Sequence, residues 1–139
     1  MKAKQVILDA NVILRFLLAD NEAHFDAAKT LFQTAKSGKI KLVLLPVIFM
    51  EVYFVLFSFY KLEKLKILPA LEKFLLDSSI TCSEAEILLH TLELAKSYSL
   101  SLPDLYLASY AKLEEKAIAS FDKEFRPLKE IEWINPLGD

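Results

Sequence analysis

Short apolar runs alternate with longer stretches of helical periodicity along this chain. The runs predict five strands, at residues 6–8, 41–45, 80–82, 117–120 and 132–134. Between the strands, apolar residues recur at helical spacing, as they do at Val12, Ile13, Phe16 and Leu17 after the first strand. Strands that alternate with helices through short connections favour a parallel sheet with helices on both faces. The pattern therefore predicts an α/β fold.

Several residues predict where the helices begin and end. Asn11 favours the N-cap of the first helix, and Asp20 or Asn21 can cap the second. Gly38 is expected to end that second helix, because glycine readily takes the left-handed conformation found there. Pro69 predicts that the helical stretch 62–76 is either two helices or one helix with a kink.

Residues 42–60 approach the length of a membrane span, since the nineteen residues carry a single charge, Glu51. Pro46 and the central carboxylate argue against a span, because an ionised group there costs about 2.5–3.5 kcal/mol on insertion scales. A strand followed by a helix with Pro46 in its first turn explains the same residues. No membrane association is therefore predicted.

The helix that follows this second strand is apolar on nearly every side, and such a helix needs cover on most sides. Hydrophobic residues make up 54% of the chain, above the usual share of about 45–50%. Both observations favour a homodimer or larger assembly, or a protein partner. Phe54, Phe57 and Tyr60 are the side chains expected to be buried in that contact.

The 139 residues fit a single domain, 1–139. The net charge of −2 excludes a strongly basic nucleic-acid footprint over the whole molecule, although 17 lysines and arginines allow a local one. Cys82, the single cysteine, permits no internal disulfide and favours a reducing compartment. The N-terminus leads straight into the first strand, which leaves no room for a signal peptide, so we expect a cytoplasmic protein.

Four carboxylates stand at strand ends or near helix starts. Asp9 ends the first strand, and Glu51 lies one turn into the helix after the second. Asp104 follows Pro103 in a first helical turn, and Asp122 follows the fourth strand. Gathered on one rim, these groups would repel each other without a cation. Mg²⁺ or Mn²⁺ prefers such hard oxygen ligands. Glu51 is expected to be buried among apolar residues and thus to need a partner or an ion.

Each acid also has a simpler interpretation. Asp9 and Asp122 are acceptable turn residues, and Asp104 suits a helix N-terminus electrostatically. His24 and His90 are isolated from each other and from other metal-binding types. We therefore expect the histidines at the surface or in helix packing, with no zinc site.

Four motifs of the chain resemble those of the PIN domain family. The segment 9–18, with Asp9, Asn11 and Arg15, is similar to the opening of a PIN domain. Segments 47–52, 102–108 and 119–125 resemble the second, third and fourth acidic motifs, in the family's order. The resemblance implies a three-layer α/β/α sandwich with a central, mainly parallel sheet, and a metal-dependent ribonuclease. Many small members are toxins of the VapC type, which a small antitoxin protein holds inactive.

The resemblance also assigns roles to residues of this chain. Asp9, Glu51, Asp104 and Asp122 would hold Mg²⁺ or Mn²⁺ for hydrolysis of an RNA phosphodiester bond. Asn11 and Ser120 would orient these acids by hydrogen bonds. Arg15 would reach a substrate phosphate or else form a surface ion pair. Some PIN domains add an acid near the third motif, but Leu105 to Leu107 follow Asp104 here, so at most the four acids are expected.

Two other functions remain open at this point. A catalytically inactive PIN-like dimerisation or scaffold module would explain the apolar excess, although it has no need of Glu51. Another Mg²⁺-dependent phosphoester hydrolase, such as a phosphatase, could use a similar parallel sheet.

Overall fold

The computed structural model describes residues 2–138, which divide into two compact units, one up to Ala85 and one from Glu86 onward. The first unit contains three parallel strands and four α-helices. In chain order these are β1 (Lys4–Ile7), α1 (Ala10–Leu18), α2 (Glu22–Lys36), β2 (Ile40–Val43), α3 (Pro46–Phe54), α4 (Lys64–Leu76) and β3 (Ile80–Thr81). A π-helical turn, Val55–Phe59, continues α3.

The sheet of the first unit has the order β1-β2-β3, with Lys4 opposite Ile40 and Val43 opposite Thr81. Leu42 is fully buried in β2, and Leu8 and Leu44 are nearly so just after β1 and β2. Helix α1 packs against α2 and α3. Because all three strands run the same way, the segments after β1 and β2 leave the same edge of the sheet.

The second unit contains helices α5 (Ala85–Ala95, which begins at the boundary) and α6 (Leu102–Leu113), followed by strands β4 (Ile118–Ala119) and β5 (Trp133–Ile134). A 3-10 turn, Lys123–Phe125, lies between the two strands, which pair in parallel. The core of this unit comprises Ala108, Ala111, Ile118, Phe125 and Leu128. The predicted α/β fold class with mainly parallel strands is confirmed, although the strands form a three-stranded and a two-stranded sheet.

The structure confirms several predicted helix ends and corrects one. The Asn21 side chain accepts a hydrogen bond from the His24 amide at 3.0 Å, and Gly38 follows α2 with φ of 86°. Helix α4 is one helix with Pro69 inside it. The predicted N-cap at Asn11 is wrong, because α1 begins at Ala10 and Asp9 occupies the N-cap position. Asp and Asn suit this position about equally, so composition alone does not decide between them.

The apolar segment 42–60 is a strand and a helix, with Pro46 at the helix start. Within residues 2–138, no helix has both the length and the apolar character needed to cross a bilayer.

Candidate metal centre

Asp104 is positioned by the start of α6. Ser101 caps the helix, and its hydroxyl accepts a hydrogen bond from the Asp104 amide at 3.3 Å. Leu102 and Leu105 are buried on the core side of the first turn. Asp104 itself is only half-buried, so its carboxylate is accessible to an ion.

Asp122 is held by the turn that follows β4. The Ser120 hydroxyl accepts a hydrogen bond from the Asp122 amide at 3.0 Å, and Asp122 Oδ1 accepts one from the Glu124 amide at 2.9 Å. Phe125 anchors the end of this turn, since its side chain is 2% exposed. Trp133 Nε1 also donates to the Ser120 carbonyl at 2.9 Å. Both the strand end and the turn are therefore fixed around the Asp122 carboxylate.

These two acids and Glu124 form an acidic cluster, in which one carboxylate oxygen from each residue lies within 4.8 Å of the others. None of the three carboxylates forms an ion pair within residues 2–138. With metal–oxygen distances of 2.0–2.1 Å, the ligand oxygens of Mg²⁺ are about 2.9 Å apart in neighbouring positions and about 4.2 Å apart across the ion. A small side-chain adjustment therefore brings the cluster to the spacing that an octahedral divalent cation requires.

Glu124 is the member of this acidic cluster that sequence reasoning missed. A further acid was sought only next to Asp104, where Leu105 to Leu107 follow, whereas Glu124 lies in the 3-10 turn after Asp122. The spacing of Asp122 and Glu124 around a single residue was the available signal. A tight turn brings such a pair together, whereas an extended strand would point both side chains the same way at a greater separation.

Asp9 and Glu51 lie in the first unit, and neither belongs to the acidic cluster. Asp9 is exposed at the N-cap of α1, where its carboxylate makes no capping hydrogen bond. The expected burial of Glu51 is wrong. Helix α3 turns Phe49, Val52 and Tyr53 toward the core, and Glu51 is consequently exposed. The role of both carboxylates as ligands stays a prediction.

Arg15 forms the ion pair that was one of its two expected roles. Its Nη1 atom lies 2.9 and 2.8 Å from the two carboxylate oxygens of Asp20, and Nη2 donates to the Tyr60 hydroxyl at 3.3 Å. The hydrogen bond that Arg15 donates to Tyr60 and the charge of Asp20 raise the pKa of Arg15. Asn11 is exposed on α1, in a shallow groove that Arg15 also lines. Contact of Arg15 with a phosphate and orientation of the acids by Asn11 stay predictions.

The two histidines take the structural positions that the sequence predicted. His24 is exposed on α2, and His90 packs between α5 and α6 with Nδ1 2.9 Å from the Ser109 hydroxyl. Ser109 is fully buried. Burial and the nearby Lys112 ammonium lower the pKa of His90.

Comparison with known protein families adds a separate line of evidence. The sequence matches the family model of the PIN domain over residues 6–131, which includes most of both compact units. No individually curated protein matches the sequence well enough to count as a relative. PIN domains are generally metal-dependent nucleases that bind a divalent cation, and the acidic cluster offers the oxygen ligands that such a cation needs.

Proposed function

This chain belongs to the PIN domain family, and we propose that it is an endoribonuclease that hydrolyses RNA phosphodiester bonds with Mg²⁺ or Mn²⁺. We further propose that residues 1–139 work as one PIN-like domain. The observation that carries the proposal is the acidic cluster of Asp104, Asp122 and Glu124. Three accessible carboxylates within 4.8 Å of each other, with no ion pair among the described residues 2–138, repel one another unless a cation lies among them.

Asp104, Asp122 and Glu124 would hold the ion directly or through water, and Asp9 and Glu51 are the further ligands that the sequence predicts. When bound, a divalent cation lowers the pKa of its water and neutralises charge on the phosphoryl oxygens. Ser120 fixes the backbone of Asp122, and the Glu124 amide donates to Asp122 Oδ1, which holds the carboxylate in place. The Ser101 cap holds the first turn of α6, which carries Asp104. Arg15 would contact a phosphate only after it gives up part of its pairing with Asp20.

We also propose that the protein is a toxin of the VapC type in the cytoplasm, held inactive by an antitoxin protein. This proposal rests on the four motifs that resemble those of the family. Induction of the intact gene in a bacterial host should stop growth, whereas a gene with Asp104→Asn should not. Equal growth in both strains would contradict the toxin role and would leave the nuclease proposal to its own test.

Cleavage of a labelled pool of single-stranded RNA tests the nuclease proposal. The wild-type protein should cut the pool with Mg²⁺ or Mn²⁺, and EDTA should abolish the cleavage. Asp104→Asn removes one proposed ligand and should reduce the rate by at least about 100-fold, the upper end of the effect of losing an outer-shell partner. Asp26→Asn is the matched control, because Asp26 is exposed on α2 and lies outside the acidic cluster.

Two results would replace this proposal. Hydrolysis of a simple phosphate monoester without RNA cleavage would indicate another phosphoester hydrolase. If the wild-type protein cuts no RNA and its melting temperature does not respond to either metal, the chain is a scaffold or dimerisation module.

A further inference from the structure

A cleft of about 620 Å³ opens at the edge of the three-stranded sheet where the strands begin. This is the edge opposite the one at which β1 leads to Asp9. Three lysines from three different elements line it, Lys36 of α2, Lys41 of β2 and Lys73 of α4. We call this feature the lysine cleft. Asp77 is the only acidic residue that lines it within the described part of the chain.

Asp77 is already engaged by the loop that precedes β3. Its Oδ1 atom accepts hydrogen bonds from the Ser79 amide at 2.8 Å and from the Ser79 hydroxyl at 2.6 Å. Burial alone would raise the pKa of Asp77, but these hydrogen bonds and the charges of Lys36 and Lys41 lower it. Lys41 in turn donates to the Ser78 carbonyl at 2.6 Å. Lys36 and Lys73 form no ion pair within residues 2–138, so their ammonium groups are available to a ligand.

The simplest role for Lys36 and Lys73 is to offset the dipoles of the helices that they end. Helices α2 and α4 both terminate at this cleft, and each C-terminus carries about half a negative charge. Those two termini and Asp77 together supply about two negative charges, whereas Lys36, Lys41 and Lys73 supply three positive ones. Lys39, exposed between the lining residues Gly38 and Ile40, adds a further positive charge. A positive excess therefore remains after the helix termini are offset, in a protein whose net charge is −2.

We propose that the lysine cleft binds the phosphodiester backbone of single-stranded RNA, at the edge of the sheet opposite the one that leads to Asp9. The choice of RNA as the ligand rests on the proposed nuclease function. Lysines bind phosphates as point charges without a fixed geometry, which suits a flexible backbone. Leu76, which is 64% exposed, gives the cleft an apolar wall on which a ribose or base can lie.

The lysine cleft lies at the edge of the sheet where the strands begin, and Asp9 lies at the opposite edge, just after β1 ends. Strand β1 has four residues, Lys4–Ile7, so the two edges of the sheet lie at least about 10 Å apart. One phosphate cannot contact both edges. A phosphate held in the cleft therefore does not reach Asp9, and the contribution of the cleft is to affinity.

Fluorescence anisotropy with a labelled 20-nucleotide oligouridylate in EDTA tests this proposal, because EDTA prevents cleavage during the measurement. The test variant is the double substitution Lys36→Gln and Lys73→Gln. The control variant is Lys29→Gln and Lys66→Gln, which changes the charge equally on the same two helices but outside the cleft. All four lysines are exposed, so both proteins should fold. The test variant should melt slightly below the wild type, because it loses the two charges that offset the helix C-termini.

The test variant should bind the RNA about tenfold or more weakly at 50 mM salt, and its salt slope should fall by about 1.4, since each lost contact to a single strand removes about 0.7. The control variant should stay within about twofold of the wild type. Equal loss in both variants, or no loss in either, would overturn the proposal. If labelled polyglutamate shows the cleft-dependent loss and the RNA does not, the cleft binds an acidic protein segment and the proposal is wrong.

The same variants separate this proposal from the nuclease proposal. If the wild type cleaves RNA but the test variant binds RNA as tightly as the wild type, the lysine cleft plays no part and the nuclease function stands. If the wild type binds RNA through the cleft but never cuts it, the cleft stands and the nuclease function falls.

Discussion

Two carboxylates, Asp122 and Glu124, are separated by one residue in the sequence and lie in a single turn. The Ser120 hydroxyl accepts the Asp122 amide of this turn, and the Asp122 carboxylate accepts the Glu124 amide. The Asp122 carboxylate uses one oxygen to accept the Glu124 amide, so the turn brings the Glu124 side chain to the acidic cluster. Glu124, which does not stand directly at a strand end, thus becomes a candidate ligand.

Glu124→Gln should weaken metal binding with little effect on the metal-free fold, because Glu124 is exposed. At a metal concentration of 100 Kd, binding to the folded state alone stabilises the wild type by about 2.7 kcal/mol, and a 100-fold weaker site retains only about 0.4 kcal/mol. Thermal unfolding with and without Mn²⁺ measures the difference. Glu114→Gln, an exposed change outside the acidic cluster, should keep the full metal response. An undiminished response in Glu124→Gln would remove Glu124 from the site.

His90 should make the free energy of unfolding fall in mild acid. Burial and then the Lys112 charge lower its pKa in the folded protein, while the carboxylates of Glu130 and Glu93 oppose the shift. The folded state therefore binds the proton less readily than the unfolded state, whose histidine titrates near 6.5. The stability contributed by neutral His90 is present above about pH 6.5 and is lost as the pH falls toward the lower folded pKa.

Urea unfolding at a series of pH values from 7.5 to 5 measures this loss. His90→Gln should flatten the dependence, because it removes the titrating group. His24→Gln, at an exposed position on α2, should follow the wild type. A steep dependence that persists unchanged in His90→Gln would assign the acid sensitivity to other groups.

At the scale of the helix, α1 ends at its C-cap Ala19, which adopts the left-handed conformation that alanine does not favour. Ala19 has φ of 50° and donates its amide to the Arg15 carbonyl at 3.0 Å. A left-handed conformation costs a residue with a Cβ roughly 1–2 kcal/mol, whereas glycine adopts it freely. Ala19→Gly should therefore stabilise the protein, by about 0.5–1 kcal/mol after the larger entropy of the unfolded glycine is subtracted.

Ala27→Gly is the matched control for Ala19→Gly, because Ala27 is exposed in the middle of α2. Glycine in a helix interior should cost about 1 kcal/mol. Urea unfolding of the two variants should thus move the midpoint in opposite directions. If both substitutions destabilise the protein, the left-handed conformation of Ala19 costs too little to matter.

The helices and strands show which sequence signals were sufficient to predict the fold. Asn21, one of the two caps predicted for α2, lies at the start of that helix, and Gly38 and Pro46 mark the end of α2 and the start of α3 as predicted. The parallel direction of the strands followed from the alternation of strands and helices, whereas their order in the sheet was not predicted. The choice between Asp9 and Asn11 as N-cap failed because both side chains suit the position.

The exposure of Glu51 was not predictable for a different reason. Apart from Glu51 itself, helix α3 is apolar on all sides, so its sequence has no polar stripe to show which face is turned outward. The side chains of Val47 and Phe54 are exposed on the same helix, at 69% and 65%. Only the packing of Phe49, Val52 and Tyr53 into the core decides the orientation, and that depends on residues distant in the sequence.

At the scale of the whole molecule, we expect a homodimer or larger assembly. The side chains of Phe54, Phe57 and Tyr60 are 65%, 45% and 36% exposed. Because burial of this aromatic surface away from water is favourable, it favours association. A specific interface usually buries about 1,200–2,000 Å². Light scattering at high micromolar concentration should give at least twice the monomer mass of 15.9 kDa.

Phe54→Ser with Phe57→Ser should shift that assembly toward the monomer. Leu65→Ser is the control, because Leu65 is 79% exposed on α4. This substitution also replaces an exposed apolar side chain with serine, but outside the aromatic surface. A wild-type monomer at these concentrations, with no partner present, would count against self-association through this surface.

The family match spans residues 6–131 and thus residues of both compact units. If the chain works as one domain, a substitution of Asp9 in the first unit should affect the activity that is proposed for the acids of the second. Asp9→Asn keeps the size of the side chain and its suitability for the N-cap, and it removes one negative charge. Because the Asp9 carboxylate makes no capping hydrogen bond, the fold should tolerate the change. If Asp9 is a ligand as the sequence predicts, the variant should lose most of the RNA cleavage and of the metal-induced rise in melting temperature. Its metal-free form should melt at the wild-type temperature or slightly above, since like-charge repulsion is relieved.

Asp26→Asn should behave as the wild type in all three measurements. A variant Asp9→Asn with full cleavage and a full metal response would instead show that the ion is held without the first unit's carboxylate. The acids of the second unit would then be sufficient, and the role assigned to Asp9 from its place after β1 would be wrong.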